Sequence, residues 1–289
     1  MEIRALRTPI IEKGQNLFEA FRDAVGGPLH ERDIVCVTSK IVSMEQGRVK
    51  RLSEVQPSPK ARQMKKLRYS KDFGAHPELA ELVIQEADVL FEGEDGFVYL
   101  TLKNNILIAN AGIDLSNACE GHAILWPDRP WEWARDFRST LQSHYHVADL
   151  GVVVTDSHLT PLRRGVTGVA IAYSGFEGIQ SEIGKPDLFG KPLRITEKAV
   201  ADDLASVAVL LMGEAGESTP FALIREAPVI FTGREIDPKE SFIPPTIDLY
   251  AGIYNQTFRT LLDGPTQDFP GSKVSQPHLP ARAVDSSGR

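Results

Sequence analysis

The spacing of apolar residues along the chain predicts a fold built from both helices and strands. Apolar positions recur at helical spacing in four segments, which we predict to be helices: 15–26, a segment beginning at Pro77, 131–142 and 197–212. Short apolar runs predict buried strands at 34–37, 106–109, 152–154 and 228–231. Between Val89 and Asn110 short strands alternate with turn signals, which is the pattern of an antiparallel meander.

The segment 197–212 differs from the other predicted helices because nearly all of its residues are small or apolar. A helix of this composition is typically buried, and we predict Thr196 as its N-cap. Asp202 and Asp203 lie in its first half, where acidic side chains interact favourably with the helix dipole. We therefore interpret these two aspartates as structural.

The composition of the chain changes in two places. The stretch 60–71 is strongly basic; we interpret it as a solvated helix face, with a steering patch for an anionic substrate as the alternative. From Gly264 onward prolines and polar residues replace bulky apolar ones, which predicts a disordered tail over 264–289. We expect residues 1–263 to fold together, either as a single body or as two subdomains.

Overall charge and composition exclude several classes of protein. The formal net charge of −7 argues against a nucleic-acid-binding protein, and no apolar run is long enough for a transmembrane helix. The N-terminus lacks the apolar core of a signal peptide. Two cysteines, Cys36 and Cys119, cannot form a disulfide framework, so we expect a reducing, cytoplasmic environment.

Two of the apolar runs lead to an aspartate. The first run continues through Asn110 to Asp114, and the second leads to Asp156 and Ser157. A buried strand that delivers a carboxylate and small polar residues is a common way to bind a divalent cation, because hard cations prefer oxygen ligands. Taken singly, each aspartate is equally consistent with the start of a turn.

Other residues with suitable chemistry accompany these aspartates. Glu214 follows the apolar helix between glycines, where its charge opposes the helix dipole unless a cation compensates it. Ser39 and Lys40 follow a strand, and Arg163 and Arg164 follow Asp156; ammonium and guanidinium groups bind phosphate or carboxylate oxygens. Cation ligands, basic groups and glycine turns together indicate phosphoryl-transfer chemistry.

Five stretches in matching order resemble the coenzyme F420-0:L-glutamate ligase family, whose members are gamma-glutamyl ligases. The resemblance extends from about residue 8 to residue 225, and five ordered blocks are more specific than a single short motif. The stretches are 37–43, 110–117, 151–157, 163–175, and 187–190 together with 200–206 and 210–214.

The resemblance implies an α+β fold with mixed, largely antiparallel sheets and packed helices, assembled as an intertwined homodimer. It implies GTP as co-substrate, two Mg²⁺ or Mn²⁺ ions per site and an assisting K⁺. Asp114 and Asp156 would then bind one metal, and Ser157 and Glu214 would serve the second. The implied GTP site consists of Thr8, Pro9, Ile10, Ile11, Ser39, Lys40, Asn117, Met212, Gly213, Ala215, Gly216, Glu217, Ser218 and Thr219.

The reaction that the resemblance implies proceeds through an acyl phosphate. The terminal carboxylate of F420-0, or of F420-1, attacks the γ-phosphate of GTP, and the amine of L-glutamate then displaces phosphate to form the amide. This chemistry needs no covalent protein intermediate, which agrees with the absence of a recognisable nucleophile and base constellation in the sequence.

The sequence departs from the family pattern at positions that bear on substrate recognition. Met44 stands where the family has a lysine that contacts the nucleotide. The family's early Gly-Asp-Asp-Leu appears as Gly14-Gln15-Asn16-Leu17, and the regions 87–101 and 118–133 align poorly. Three hypotheses therefore stay open: ligation of glutamate to F420-0, the same chemistry on another anionic acceptor such as a folate, and an inactive nucleotide-binding homologue.

Overall fold

The described part of the chain, in a computed structural model, comprises residues 1–64, 76–91, 98–244 and 248–250. Within these residues the strands are β1 (Glu2–Leu6), β2 (Asp33–Thr38), β3 (Val49–Arg51), β4 (Val89–Leu90), β5 (Leu100–Lys103), β6 (Ile106–Ala109), β7 (His122–Ile124), β8 (Leu150–Leu159), β9 (Val166–Ser174), β10 (Ile179–Ser181), β11 (Glu197–Ala199) and β12 (Phe221–Arg225). The helices are α1 (Leu17–Val25), α2 (Ser39–Glu45), α3 (Pro59–Gln63), α4 (Pro77–Glu86), α5 (Pro130–Tyr145) and α6 (Val200–Met212).

The central sheet has the strand order β1-β12-β2-β8-β9. Strands β2 and β8 are parallel, and the other neighbours are antiparallel. The last parallel pair joins Thr38 to Thr155, where β2 ends and α2 begins. Strand β8 continues beyond that point with β9 as its partner. Asp156 is therefore the first residue of β8 that lies past the end of β2.

Both faces of this sheet are covered, which explains the nearly continuous apolar runs in β2 and β8. One face packs against α1 and α5, with Phe21, Phe137 and Leu141 in the core, while α6 contributes Leu204 and Ala205 to the opposite core. Helix α1 begins after Asn16, whose side chain accepts a hydrogen bond from the Glu19 N–H, and it ends at a left-handed Gly26. Asn16 thus provides an N-cap at the position where the family pattern Gly-Asp-Asp-Leu has an aspartate.

Two smaller sheets and α4 form a third packing region. Strands β4, β5 and β6 form the predicted antiparallel meander, and β3 pairs with β7. Leu79, Leu82 and Val83 of α4 pack against residues of the β7 segment. Glu81 of the same helix is also buried, and its carboxylate accepts hydrogen bonds from the Ser58 N–H and from the Gln85 side chain.

These elements confirm the predicted mixed α+β class, and the predicted helices at 15–26, from Pro77 and at 131–142 are all present. The helix predicted at 197–212 begins only at Val200, because residues 197–199 pair with β10 as strand β11. Thr196 is consequently not its N-cap. The strand predicted at 228–231 is reduced to a single bridge between Phe231 and Phe176.

The expectation that α6 is buried throughout is wrong at its C-terminal end. Leu210 is 80% exposed and Leu211 is 45% exposed, although Leu204, Ala205 and Ala208 are buried. Helical spacing places Leu204, Ala205, Ala208 and Met212 against the core and turns Leu210 and Leu211 away from it.

Several predictions fall on residues outside the described part. The tail at 264–289 and most of the basic stretch lie there, while Lys60 and Arg62 are exposed on α3. Residues Met1–Ser241 form one compact unit. The division into 1–263 and a disordered tail therefore stays a prediction. No helix in the described ranges is long and apolar enough to cross a membrane.

Candidate active site

The junction between β2 and α2 places Ser39 and Lys40 beside the two aspartates. Ser39 is buried and hydrogen-bonds with the Asp156 carboxylate. The Nζ atom of Lys40 lies 2.7 Å from Asp114 Oδ2 and 3.2 Å from the Ser116 hydroxyl. One short segment therefore contacts both of the aspartates that the sequence singled out.

A left-handed turn carries the chain from β6 to Asp114. Asn110, Ala111 and Gly112 have φ angles of 52°, 55° and 70°, a region that L-residues adopt rarely. The turn packs on the Trp126 ring, and a Cβ atom at Gly112 would lie only 2.1 Å from that ring. Glycine is therefore required at this position both for its φ angle and for the close approach.

Asp114 is fixed by its backbone and by its side chain. Its N–H and C=O exchange two 2.9 Å hydrogen bonds with Ile124, so Asp114 lies on the edge of β7 opposite to β3. Its Oδ1 accepts a 2.6 Å hydrogen bond from the Ser116 N–H, and its Oδ2 faces Lys40. Sequence reasoning predicted a turn or a metal ligand here, and the structure shows an aspartate turn whose other oxygen faces a cation.

Asp156 does not end its strand, as the sequence suggested, but lies inside β8 where β2 stops. Burial raises the pKa of its carboxyl to about 7, although hydrogen bonds from the Ser157 N–H and from Ser39 oppose this effect. The negative charge of Asp114 raises the pKa further, and Lys40 lowers it. The positive charge of Lys40 is therefore too weak to offset the effect of burial on the pKa of this carboxyl.

Glu214 contacts the same strand from the loop that follows α6. The Ser157 hydroxyl donates a 2.6 Å hydrogen bond to Glu214 Oε1. The loop leaves α6 through Gly213, whose φ of 78° favours glycine and whose Cα lies close to the Glu217 carboxylate. Ser157 and Glu214, which the resemblance assigns to the second metal, therefore contact each other directly, and their binding of a metal stays a prediction.

The loop 212–219 is tied to two other parts of the site. Asn117 Nδ2 donates a 2.9 Å hydrogen bond to the Ala215 carbonyl oxygen, and the Thr8 N–H donates to the Ser218 carbonyl oxygen at 2.9 Å. Within the loop, the Ala215 N–H donates to Glu217, and the Thr219 hydroxyl donates to the Met212 carbonyl oxygen. Beyond Thr8, Pro9 and Ile10 are exposed and Ile11 is buried.

These contacts join four segments that are distant in sequence. The segments begin at Ser39, Asp114, Asp156 and Met212, and hydrogen bonds or ion pairs connect each of them to at least one other. A fifth segment, which begins at Thr8 after β1, is joined to them through the hydrogen bond to Ser218. The structure therefore brings together most of the residues predicted for the metal and nucleotide sites.

The donor set fits hard cations, but it is not closed around a single point. Among the described residues, no three His, Cys, Asp or Glu side chains converge as a metal cluster. The oxygen atoms of Asp114, Asp156, Ser157 and Glu214 are the ligand type that Mg²⁺ and Mn²⁺ prefer. Lys40 provides a positive charge against Asp114, and the raised pKa of Asp156 shows that more positive charge would be favourable.

Other candidate residues lie away from this centre. Arg163 and Arg164 are exposed in the turn between β8 and β9. Asp202 accepts a hydrogen bond from the Ala170 N–H, and burial raises the pKa of its carboxyl, so its role is structural as predicted. Met44 lies one helical turn after Lys40 and packs against the core.

Comparison with known proteins agrees with this arrangement. The sequence profile of the F420-0:gamma-glutamyl ligase family matches residues 5–226. The chain belongs to this family. The match covers every segment of the candidate site.

Relatives in three archaea cover most of the chain, and each is named coenzyme F420:L-glutamate ligase. The protein of Methanopyrus kandleri is 35% identical over 215 residues, which is 74% of this chain and 82% of the relative. The protein of Methanocaldococcus jannaschii is 33% identical over 246 residues, and that of Methanococcus maripaludis strain S2 is 31% identical over 243 residues. Each of these two matches covers 83% of this chain and 95% of the relative. As a member of this family, the chain is a ligase that forms an amide bond.

Proposed function

We propose that this ligase joins L-glutamate to the terminal carboxylate of coenzyme F420-0, or of F420-1, with GTP and divalent metal ions, through an acyl phosphate. The observation that carries the proposal is the contact between Lys40 and Asp114 beside the partly buried Asp156. It places an ammonium group and two carboxylates where distant segments meet, as metal-assisted phosphoryl transfer requires.

The nucleotide would lie against the segments that are tied together by backbone groups. Asn117 and the 212–219 loop supply amide and carbonyl groups on one side, and Thr8–Ile11 lies next to Ser218. Ser39 and Lys40 at the start of α2 would face the phosphates. Met44 offers a thioether where a charge is usual, so Lys40 would carry more of the phosphate binding.

The metal ions would be held by oxygen atoms already near one another. Asp114 and Asp156 would bind one ion, while Ser157 and Glu214 would serve the second, and K⁺ would assist. Bound divalent ions would neutralise phosphate charge and align the reacting oxygen atoms. The Lys40 ammonium would then be free to turn from Asp114 towards the triphosphate.

The bond changes follow from the two substrates. A carboxylate oxygen of the acceptor attacks the γ-phosphorus while the bond to the β-phosphate oxygen breaks, which releases GDP. The glutamate amine attacks the acyl carbon, phosphate leaves, and the amine loses a proton. The chain's residues position the reactants and exclude water from the acyl phosphate; none becomes covalently modified.

We also propose that the ligase acts as a homodimer. Ile183, Leu188, Phe189 and Ile195 are all more than half exposed between β10 and β11, and Leu210 is exposed on α6. Apolar side chains exposed together commonly mark a protein interface. A second copy would bury them. A cytoplasmic location likewise stays a prediction.

Product mass tests the proposal directly. Purified protein is incubated with GTP, Mn²⁺, L-glutamate and either F420-0 or tetrahydrofolate. We expect F420-0 to gain one or more glutamyl residues, with one GDP released for each. If glutamate is added to tetrahydrofolate but not to F420-0, the acceptor is a folate and not F420-0. If no glutamyl product forms and no GDP is released, the proposed activity is contradicted.

A further inference from the structure

The short sheet that carries Asp114 has two distinct faces. In antiparallel strands, residues that pair directly project to the same face. Asp114 pairs with Ile124, and Ile124 pairs with Val49, so these three side chains share one face. Ile113 lies on the opposite face, in the apolar cluster that packs against α4.

Two residues further along, the same face carries Arg51 and His122, which pair with each other. The spacing of two residues along a strand is about 7 Å. Lys50 pairs with Ala123 and therefore projects to the other face, although it is exposed like Arg51. The chain thus presents one basic residue on each face of β3.

Arg51 is not neutralised by its surroundings. Within the ranges that the structure describes, its guanidinium group makes no ion pair and no side-chain hydrogen bond, whereas Lys40 and Arg48 each face a carboxylate. The neighbouring His122 ring is held by Nδ1, which lies 3.0 Å from the Glu120 carbonyl oxygen. An unpaired guanidinium on a protein of net charge −7 is a suitable site for an anion.

Arg51 also lies apart from the residues proposed to bind the nucleotide. Lys40 and Ala215 contact the 114–117 segment directly. Strand β3 is separated from that segment by β7. At the usual strand spacing, Arg51 is about 10 Å across the sheet from Asp114.

We infer that Arg51 binds a negatively charged group of the acceptor, separate from the carboxylate that reacts beside Asp114. The inference rests on the proposed function. The acceptor class it specifies is a molecule with two anionic groups, one of which lies along the face of β3 and β7. Arg51 would select such acceptors over those with a single carboxylate.

The test compares Arg51→Gln with Lys50→Gln, its matched control on the opposite face. Steady-state KM values for F420-0 and GTP are measured with Mn²⁺ and glutamate, and F420-0 binding is measured by calorimetry. For Arg51→Gln we expect the F420-0 KM to rise about tenfold or more, as for the loss of a charge-assisted hydrogen bond. The GTP KM and kcat should stay within about threefold, and Lys50→Gln should resemble wild type.

Three outcomes would overturn the inference. The first is an unchanged F420-0 KM in Arg51→Gln. The second is an equal rise in the GTP KM of that variant, which would assign the residue to the nucleotide. The third is an equal rise in the F420-0 KM of Lys50→Gln, which would indicate long-range electrostatics. If wild type forms no glutamyl product, the proposed function fails. Calorimetry then still decides whether Arg51 contributes to F420-0 binding.

Discussion

The Lys40 ammonium lies 2.7 Å from Asp114 Oδ2, so the residue proposed to bind phosphate is paired with the residue proposed to bind metal. Both side chains are partly exposed, and an ion pair of this kind contributes about 1 kcal/mol or less to stability. Its importance is therefore expected in ligand binding more than in folding.

Replacing Lys40 by glutamine should separate these two contributions. We expect the KM for GTP to rise at least tenfold, because a phosphate contact is lost while Met44 cannot replace it. Thermal unfolding should shift by less than about 4 °C. Lys60→Gln, on the exposed face of α3, is the control and should change neither value. A Lys40→Gln enzyme with wild-type GTP kinetics would rule out the phosphate role.

Asp156→Asn should stabilise the metal-free protein at alkaline pH while abolishing activity. The pKa of Asp156 is raised to about 7 in the folded protein from a usual value of 3.8, so the folded state binds this proton more tightly than the unfolded state. The contribution of the group to stability therefore falls as the pH rises from about 4 to about 7. The full shift corresponds to at most about 4 kcal/mol.

The check is chemical unfolding with EDTA at pH 8 and pH 5. The variant's advantage over wild type should be larger at pH 8, and Mg²⁺ with GTP should stabilise wild type more than the variant. A variant that is less stable than wild type at pH 8 would show that the ionised carboxylate is satisfied without a metal ion.

Gly112→Ala should destabilise the protein more than Gly14→Ala. Both glycines are left-handed, with φ of 79° at Gly14 and 70° at Gly112. A Cβ atom at Gly14 would meet nothing within 4 Å, whereas a Cβ atom at Gly112 would overlap the Trp126 ring. Left-handed strain alone costs about 1 kcal/mol, and overpacking adds about 1–3 kcal/mol. Urea unfolding measures the difference. Equal losses for the two variants would mean that the turn before Asp114 relaxes freely.

The two cysteines should react at very different rates. Cys119 is exposed, whereas Cys36 is buried and burial raises the pKa of its thiol to about 12. Thiolate is the reactive form, so one fast-reacting thiol per chain is expected, and Cys119→Ser should remove it. A disulfide-exchange reagent followed by absorbance gives the count. Rapid modification of Cys36 in the native protein would mean that β2 opens readily.

The sequence identified which residues meet at the candidate site, but it did not show how they contact one another, and their chemistry stays a prediction. Asp114, Asp156, Ser157 and Glu214 were identifiable because small polar residues follow apolar runs, and the family resemblance linked them. Their contacts depend on register and tertiary packing. The continuation of β8 past Asp156, for example, follows from where β2 ends, and single-sequence patterns do not encode that neighbour.

The errors in the fold have a similar cause. Residues 197–199 have helical composition but pair with β10, since tertiary pairing outweighs weak propensity. Leu210 is an apolar residue and is nevertheless exposed, because it lies on the side of α6 opposite to the buried Ala208 and Met212. The support of Asp114 by Trp126 and Gly112 had no local signal except the glycine itself.

Mn²⁺ binding in the presence of GTP tests the central claim most directly. Electron paramagnetic resonance titration counts the bound ions for wild type and for Asp114→Asn and Asp156→Asn. We predict two ions per chain for wild type and at most one for each variant, with metal-dependent GDP formation lost in both variants. Two ions bound with unchanged affinity in either variant would contradict the assignment of these aspartates as metal ligands.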